Sequence, residues 1–453
     1  MKAIWLLLPA TVLCLSLLEF EDELVIHEWG TFTSLQDEQG NTVGGINIDD
    51  EPVPDFVHTV GSIPIVRDSS IPFFGNCSSK CSRLPAGDPS VTMRLETPVV
   101  YFYPARDQST PFEIDVDVEF RGGWLTQFYP FGDAELGDSA NTPPKLSPET
   151  HGTLSWRKLL VGGDWAGPET TDPVWLSPRE VEATSVQASN GEAERYLFYR
   201  GIGQLDAPLQ VTRDNESDTL SITANFGELE MGNRSVARLW LVDIRDDSRI
   251  AFRRVPDSSF ESPASAVTAK ASFDDADYSE NLTPLWDEME EALVDDGLYH
   301  AEAQSMLKTW EASYFRNPGT RLFFLVPDAW TNHYLPIRFS LPAKIERVMV
   351  GRIELINSHQ REILKRIGVG PAPDLGPMFE QIMKKIEEAK DESLVQQLML
   401  GRLSLTTLRV DAPPLYREYL SLGRFREVLL REELKRASTP AFEQFARNIG
   451  IPL

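Results

Sequence analysis

The sequence lacks the local patterns that identify the common enzyme classes. It has no HExxH, no G-x-S-x-G, no phosphate-binding loop, no complete GxGxxG and no EF-hand loop. The chain has six histidines. Apart from His27, they are scattered without the spacing of metal ligands: His58, His151, His300, His333 and His359. We therefore expect neither a metal ion nor a cofactor, and the sequence does not decide whether the protein is an enzyme.

Positive charge is scarce. The chain has 43 Lys and Arg against 69 Asp and Glu, a net charge of −26, and such a surface repels phosphate backbones. We expect no nucleic-acid partner. The excess of acidic residues is unevenly distributed. Residues 344–453 contain 18 basic and 15 acidic residues, and the rest of the chain contains 25 basic and 54 acidic residues. This change predicts a boundary near residue 343.

No apolar run is long enough to span a bilayer. The longest follows Lys2 and covers residues 3–18, 16 residues where a spanning helix needs about 20. A basic start before a short apolar segment is typical of a secretory signal peptide, which we predict over residues 1–18. Cys14 and Ser16 are the best small pair for cleavage, and an uncleaved anchor is the alternative. Either way we expect export to the periplasm, the cell envelope or the medium, with no transmembrane span after cleavage.

Only three cysteines are present. Cys14 lies in the leader, which leaves Cys77 and Cys81 in a segment of Gly, Asn, Ser and Pro that predicts a loop. We favour a disulfide between Cys77 and Cys81, because an exported chain meets oxidants and so short a loop can be closed. Two free thiols are the alternative.

Strand patterns dominate residues 19–275. Val99–Tyr103 is a run of β-branched and aromatic residues ending at Pro104, and Arg94 and Glu96 share one face at its entrance. Residues 112–120 alternate strictly, with Phe112, Ile114, Val116, Val118 and Phe120 apolar, as in an antiparallel strand with one wet face. Further short strands separated by turns predict an antiparallel β-sandwich body of one or two β-domains over residues 19–275.

Helical spacing begins after this body. Residues 282–315 predict a helix pair broken near Asp296–Gly297, and strands return at 321–326, 335–339 and 347–356. We assign residues 276–357 to this unit, which completes the body. Residues 358–453 form a helical C-terminal module with apolar stripes. We expect an α+β fold class in which the stripes pack on the body or on each other; an interface with another protein is the alternative.

Several short strings resemble a group of uncharacterised exported bacterial proteins. HEWGTFTS (27–34) is similar to their opening, TPVVYFYP (97–104) to their PVIYLYP-type strand, GGWLTQFYP (122–130) to a G-x-L-x-x-x-Y-P segment and YLFYRG (196–201) to a YLFWEG-type strand. The resemblance covers residues 22–356. It departs at Arg200, where the group tends to be acidic, and in the helical tail. It implies a β-rich exported protein and no activity.

Ionisable residues on the predicted strands are the best site candidates. His27, Glu28, Arg94, Glu96 and Arg200 have apolar flanks and should be partly desolvated. A carboxylate beside a histidine can serve as acid and base in a hydrolase. The alternative, which we favour, is a structural charge network of Arg94, Glu96 and Arg200 and a core histidine at 27. His27 and Glu28 point to opposite faces of a regular strand, which weakens a joint role.

Two surface features also admit a functional interpretation. The acidic row of the alternating strand could hold calcium with Asp49, Asp50 and Glu51, although a solvated strand face explains it more simply: Glu113, Asp115, Asp117 and Glu119. Aromatic residues could stack on sugars, although core packing is their commoner role: Trp124, Phe128, Tyr129, Phe131, Trp156, Trp165 and Trp175.

Two functions follow from these observations. The first, which we favour because no catalytic motif is present, is an exported non-catalytic envelope or binding protein of unknown ligand, with a glycan or another envelope component as its partner. The alternative is an extracellular hydrolase, carbohydrate-active, using carboxylates of Glu28, Glu96 or Asp133 with His27.

Overall fold

The computed structural model of the chain describes residues 23–50, 53–60, 66–67, 71, 87–136, 146–227, 229, 235–236, 238–256, 258–259, 265–391, 394–395, 398 and 405–451. The predicted leader at 1–18 and the pair Cys77 and Cys81 lie outside these residues, so both remain predictions. No helix in the described ranges has the length and apolarity needed to cross a bilayer.

Strands make up most of the described body. They are β1 Val25–Gln36, β2 Ile48–Asp50, β3 His58–Thr59, β4 Val66–Arg67, β5 Met93–Tyr103, β6 Phe112–Arg121, β7 Gly123–Tyr129, β8 Asp133–Glu135, β9 His151–Gly163, β10 Ser185–Gln187, β11 Ala193–Glu194, β12 Leu197–Gly203, β13 Leu209–Asp214, β14 Thr219–Ala224, β15 Ser235–Val236, β16 Leu239–Ile244, β17 Ile250–Val255, β18 Ser258–Ser259, β19 Ala266–Lys270, β20 Gly319–Leu325, β21 Ile337–Phe339 and β22 Lys344–Leu355.

Helices lie between some of these strands and after the last of them. They are α1 Pro173–Arg179, α2 Thr283–Asp295, α3 His300–Tyr314, α4 Asp328–Tyr334, α5 Ser358–Val369, α6 Gly376–Ala389, α7 Leu405–Leu408, α8 Pro414–Leu420, α9 Arg426–Ala437 and α10 Pro440–Asn448. The helix pair predicted over 282–315 is confirmed as α2 and α3, with its break at Asp296–Gly297. Helices α1 and α4 were not predicted.

The main sheet runs in the order β11-β10-β9-β7-β12-β5-β1-β22-β20-β16-β17. Most pairs are antiparallel, but β1 and β22 are parallel neighbours from Val25↔Lys344 to Gln36↔Leu355. An α+β fold with mainly antiparallel strands is therefore confirmed. The predicted β-sandwich is not confirmed, because the main sheet is large, mixed and not closed. The predicted domain boundaries stay predictions.

Strands β1 and β5 form the centre of the sheet because apolar layers cover both of their faces. Trp29 and Tyr101 pack toward α2 and α3. Phe32 and Phe102 pack on the opposite side, with Trp156 from β9. Nearly every residue of both strands is buried, which accounts for their continuous apolar sequence. The strand predicted over 93–104 is confirmed.

Strand β6 behaves differently. Its side chains alternate between buried and partly exposed, as the sequence predicted, and it pairs antiparallel with β9. The helices after β22 build an apolar core of their own, to which the body contributes Leu35, Trp124 and Ile202. The C-terminal helices thus pack on the sheet, and the solvated face of β6 stays open.

Candidate functional site

His27 is buried against helix α3. Its Nδ1 lies 2.7 Å from Oε2 of Glu302, and His27 is 2% exposed while Glu302 is fully buried. Glu302 also accepts from the hydroxyl of Tyr103 at 2.8 Å and from the backbone amide of Tyr299 at 2.7 Å. Burial, together with the charge of Glu302, raises the pKa of Tyr103, so its phenol remains a donor. His27 and Glu302 are thus closed to solvent, whereas Tyr103 and Tyr299 are half-buried.

Glu28 lies on the other face of β1, as the alternation predicted. It accepts a hydrogen bond from Nε of Arg347 at 2.5 Å and another from the hydroxyl of Tyr199. Arg347 in turn donates to Asn332 Oδ1 at 2.7 Å and to the carbonyl of Leu335 at 2.8 Å. Glu28 is 1% exposed. A carboxylate paired in this way holds the sheet and α4 together and has no room for a substrate.

Glu96 is the centre of a third buried cluster. It forms ion pairs with Arg94, at 3.0 Å, and with Arg424 from the C-terminal helical segment. The hydroxyls of Thr33 and Tyr314 each donate to Oε2 at 2.7 Å. Burial raises the pKa of Glu96, but the nearby guanidinium groups outweigh burial and hold it well below its ordinary value. The carboxylate stays ionised and cannot act as an acid.

Further arginines surround this cluster. Arg94 donates to the carbonyl of Ile48 at 2.9 Å. Arg352 and Arg321 are fully buried and share Glu354, with Arg352 Nε 2.6 Å from Oε1 and Arg321 Nε 3.3 Å from it. Arg200 is also buried, with its guanidinium 5.5 Å from the ring centroid of Phe198. These groups lie inside the fold and offer no surface.

Asp133 is the one catalytic candidate at the surface. It is exposed on β8 and lines an open groove of about 810 Å³ between β6, β8 and β9. We call this the β6–β9 groove. Its walls carry carboxylates, arginines and aromatic rings: Asp117, Glu119, Asp133, Glu135, Arg157, Arg338, Phe128 and Phe131. The solvent-exposed face of β6 borders the groove, so the groove is accessible to a large ligand.

Ion pairs fix part of the groove wall. Arg157 donates to both oxygens of Asp117, at 2.9 and 2.5 Å, and Ser155 donates to Oδ1 at 2.6 Å. Desolvation raises the pKa of Asp117, but these hydrogen bonds outweigh it and lower the pKa overall. Glu119 contacts His151 at 2.9 Å and Arg121 at 3.3 Å. Asp117 and Glu119 are ionised acceptors, which suits binding of hydroxyl groups.

The acidic row does not gather into a metal site. Asp115 caps the backbone amide of Lys158 at 2.7 Å, while Asp117 and Glu119 bind arginine and histidine. Within the described ranges no three His, Cys, Asp or Glu side chains are placed to hold a metal ion. Glu51 lies outside those ranges.

Most of the candidate sugar-stacking aromatics are core residues. Five are at most 6% exposed and pack in the apolar layers: Trp124, Phe128, Tyr129, Trp156 and Trp175. Trp165 is half-buried. Phe131 is 39% exposed at the edge of the groove, next to His58, with their ring centroids 5.6 Å apart. Phe131 is the ring best placed to meet a ligand.

The sequence did not predict the partners of the three buried candidates, His27, Glu28 and Glu96. Glu302, Arg347 and Arg424 lie 275, 319 and 328 residues from the groups that they bind. Only Glu302 left a local signal, since it stands third in α3 and its carboxylate accepts from the amide of the residue before the helix. No protein-family model matches the chain, and no curated protein matches it either.

Proposed function

We propose that the protein is an exported, non-catalytic binding protein and that the β6–β9 groove holds its ligand, a glycan of the cell envelope. One observation carries this proposal. The carboxylates with the strongest sequence case for catalysis, Glu28 and Glu96, are paired with arginines beneath the surface. The open groove presents polar groups suited to binding.

The chemistry of the groove favours a glycan. Ionised Asp117 and Glu119 accept hydrogen bonds from hydroxyls, and Arg157 and Arg338 donate to ring and hydroxyl oxygens. Phe131 offers an exposed ring against which the apolar face of a sugar can pack. The volume of the groove, about 810 Å³, suits an oligosaccharide.

Calorimetric titration of the purified protein with a panel of envelope polysaccharides and their oligosaccharides tests this function. We expect at least one to bind, and we expect Phe131→Ala and Asp133→Asn to weaken that binding by about tenfold or more each. Asp107→Asn, an exposed carboxylate outside the groove, is the matched control. Failure of every glycan to bind, or equal binding by all variants, would overturn the proposal.

The hydrolase is the second candidate, because Asp133 and Glu135 are both exposed and lie two residues apart on one strand. Period-two alternation places the two carboxylates on the same face of β8, and both line the groove. A screen for release of reducing ends and of ester acids separates the two functions. Hydrolysis by the native chain that Asp133→Asn abolishes would establish the enzyme. If neither reducing ends nor acids are released from any substrate, the hydrolase is excluded.

Export is part of the same proposal. The basic start and apolar run of residues 1–18 support it, as does the resemblance of residues 22–356 to exported bacterial proteins. Expression of the full chain in a bacterium, followed by fractionation and N-terminal sequencing, tests it. Recovery of the protein in the cytoplasm with its first residues intact would contradict export.

A further inference from the structure

A second cavity lies away from the β6–β9 groove, where the end of β16, the beginning of β20 and the beginning of α5 meet the segment after β19. It encloses about 350 Å³, a volume at the small end of the range for ligand pockets. Its polar lining includes Arg213, Asp243, Arg245, Tyr278, Thr320 and Asn357. We call it the Asp243 pocket.

The floor of the pocket is a fixed acceptor. Asp243 accepts from the hydroxyl of Tyr278 at 2.7 Å and from the hydroxyl of Thr320. Asn357 Nδ2 donates to Thr320 Oγ1 at 3.0 Å, which orients the Thr320 hydroxyl toward Asp243. Burial and the hydrogen bond to Asp243 raise the pKa of Tyr278, so its phenol keeps its proton. The remaining lone pairs of Asp243 are available to donors on a ligand.

Two arginines stand on the walls, and both lie near carboxylates. Arg245 lies over the ring of Tyr278, 3.6 Å from its centroid, and forms an ion pair with Asp275, while Asp246 also lines the pocket. Arg213 stands on another wall at 3.6 Å from Asp218, too far for a tight pair, which makes it the better placed of the two to meet a ligand. The side chain of Asn357 accepts from the amide of Gln360 at 2.9 Å, which leaves the amides of Ser358 and His359 without an intrahelical acceptor. These amides begin α5 at the pocket and add to the field of the arginines.

We propose that the Asp243 pocket binds a small carboxylate that also carries hydrogen-bond donors, such as a sugar acid or an amino acid. The carboxylate meets Arg213 and the first amides of α5, and hydroxyl or ammonium groups donate to Asp243. Tyr278 and Phe273, whose ring centroids are 6.2 Å apart, cover the apolar part of the ligand. A neutral sugar leaves Arg213 and these amides unmatched, and a bare carboxylate such as acetate leaves Asp243 unmatched. This site is separate from the glycan groove and does not depend on it.

Calorimetric titration of the full chain with four probes tests the site. Glucuronate and serine carry both features, glucose lacks the carboxylate, and acetate lacks the donors. We expect glucuronate or serine to bind, and glucose and acetate to bind at least about tenfold more weakly. The tighter of glucuronate and serine shows whether hydroxyl or ammonium groups are the preferred donors. Binding of neither glucuronate nor serine, or equal binding of all four probes, overturns the proposal.

Variants locate the binding. Arg213→Gln and Asp243→Asn should each weaken the bound probe by about tenfold or more. Arg447→Gln is the matched control, because Arg447 is half-exposed and lies 3.6 Å from Glu443, outside the pocket. Should Asp243→Asn fail to fold, Arg213→Gln at the wall decides alone. Loss of binding with Asp133→Asn instead would move the site to the β6–β9 groove and refute this proposal while leaving the proposed function intact.

Discussion

Arg424 reaches the buried carboxylate of Glu96, with Nη1 lying 3.3 Å from Oε2 and a second, closer contact from Nη2 to Oε1. The two residues are 328 positions apart, and both are at most 4% exposed. This pair joins the C-terminal helices to the central strand β5. The stability of the helices and that of the sheet are therefore coupled through this buried ion pair as well as through the apolar core that they share.

Removal of Arg424 should destabilise the whole chain. Arg424→Ala removes one of the two guanidinium groups that pair with Glu96 and leaves Arg94 beside it, and breaking a buried pair costs about 3–5 kcal/mol. Urea unfolding followed by circular dichroism measures the loss. Arg447→Ala is the control, because Arg447 is half-exposed and lies 3.6 Å from Glu443, so it should change the free energy of unfolding by less than about 1 kcal/mol. Equal effects of the two variants would contradict the coupling.

Acid should weaken the fold through Glu96. The folded pKa of Glu96 lies well below its ordinary value of 4.5, so its stabilising contribution is complete above that value. It is lost as the pH falls from 4.5 through the folded pKa. We expect the free energy of unfolding to fall over this interval in the native chain, and to fall less in Glu96→Gln, which is less stable at neutral pH. An identical slope in the two proteins would exclude Glu96 as a source of the pH dependence.

A side chain at residue 351 should disturb the sheet. Gly351 of β22 lies against the ring of Phe324 on β20, and a Cβ built at 351 falls 2.0 Å from Cζ of that ring. Gly351→Ala should therefore destabilise the protein by about 1–3 kcal/mol through overpacking. In Phe324→Leu the added methyl meets a smaller neighbour, so the same glycine substitution should cost less there. Thermal unfolding of the four proteins of this cycle gives the coupling, and additivity would refute the contact.

The cysteine prediction is also directly testable. If Cys77 and Cys81 are joined, alkylation under denaturing conditions should modify neither of them until a reductant is added. Mass spectrometry of the peptide that contains both residues measures this. Alkylation of both cysteines without reductant would support the alternative of two free thiols.

Local patterns predicted the parts of the fold that local sequence controls. The apolar run at Val99–Tyr103, the alternation from Phe112 to Phe120 and the break at Asp296–Gly297 all correspond to observed elements. Each depends on side-chain periodicity or on helix-ending residues within a few positions. Helix α1 escaped prediction because its seven residues include Pro178 and carry no extended apolar periodicity.

Pairing over long distances could not be predicted in the same way. The sequence placed Arg94 beside Glu96, because two positions on one strand share a face, and the structure has them 3.0 Å apart. It gave no indication that Arg424 would join them, since no rule of spacing connects a tail helix to a strand in the body. The same limit applies to the Asp243 pocket, where β16, β20 and α5 each contribute residues that have no local signature.

The parallel pairing of β1 with β22 sets the order in which the molecule can be completed. During synthesis β1 is made before its parallel neighbour β22, which follows more than 300 residues later. Until then β1 has one free edge that can recruit a foreign strand. Contacts of such long sequence separation slow folding. The newly made chain is thus open to aggregation at the β1 edge until β22 is added.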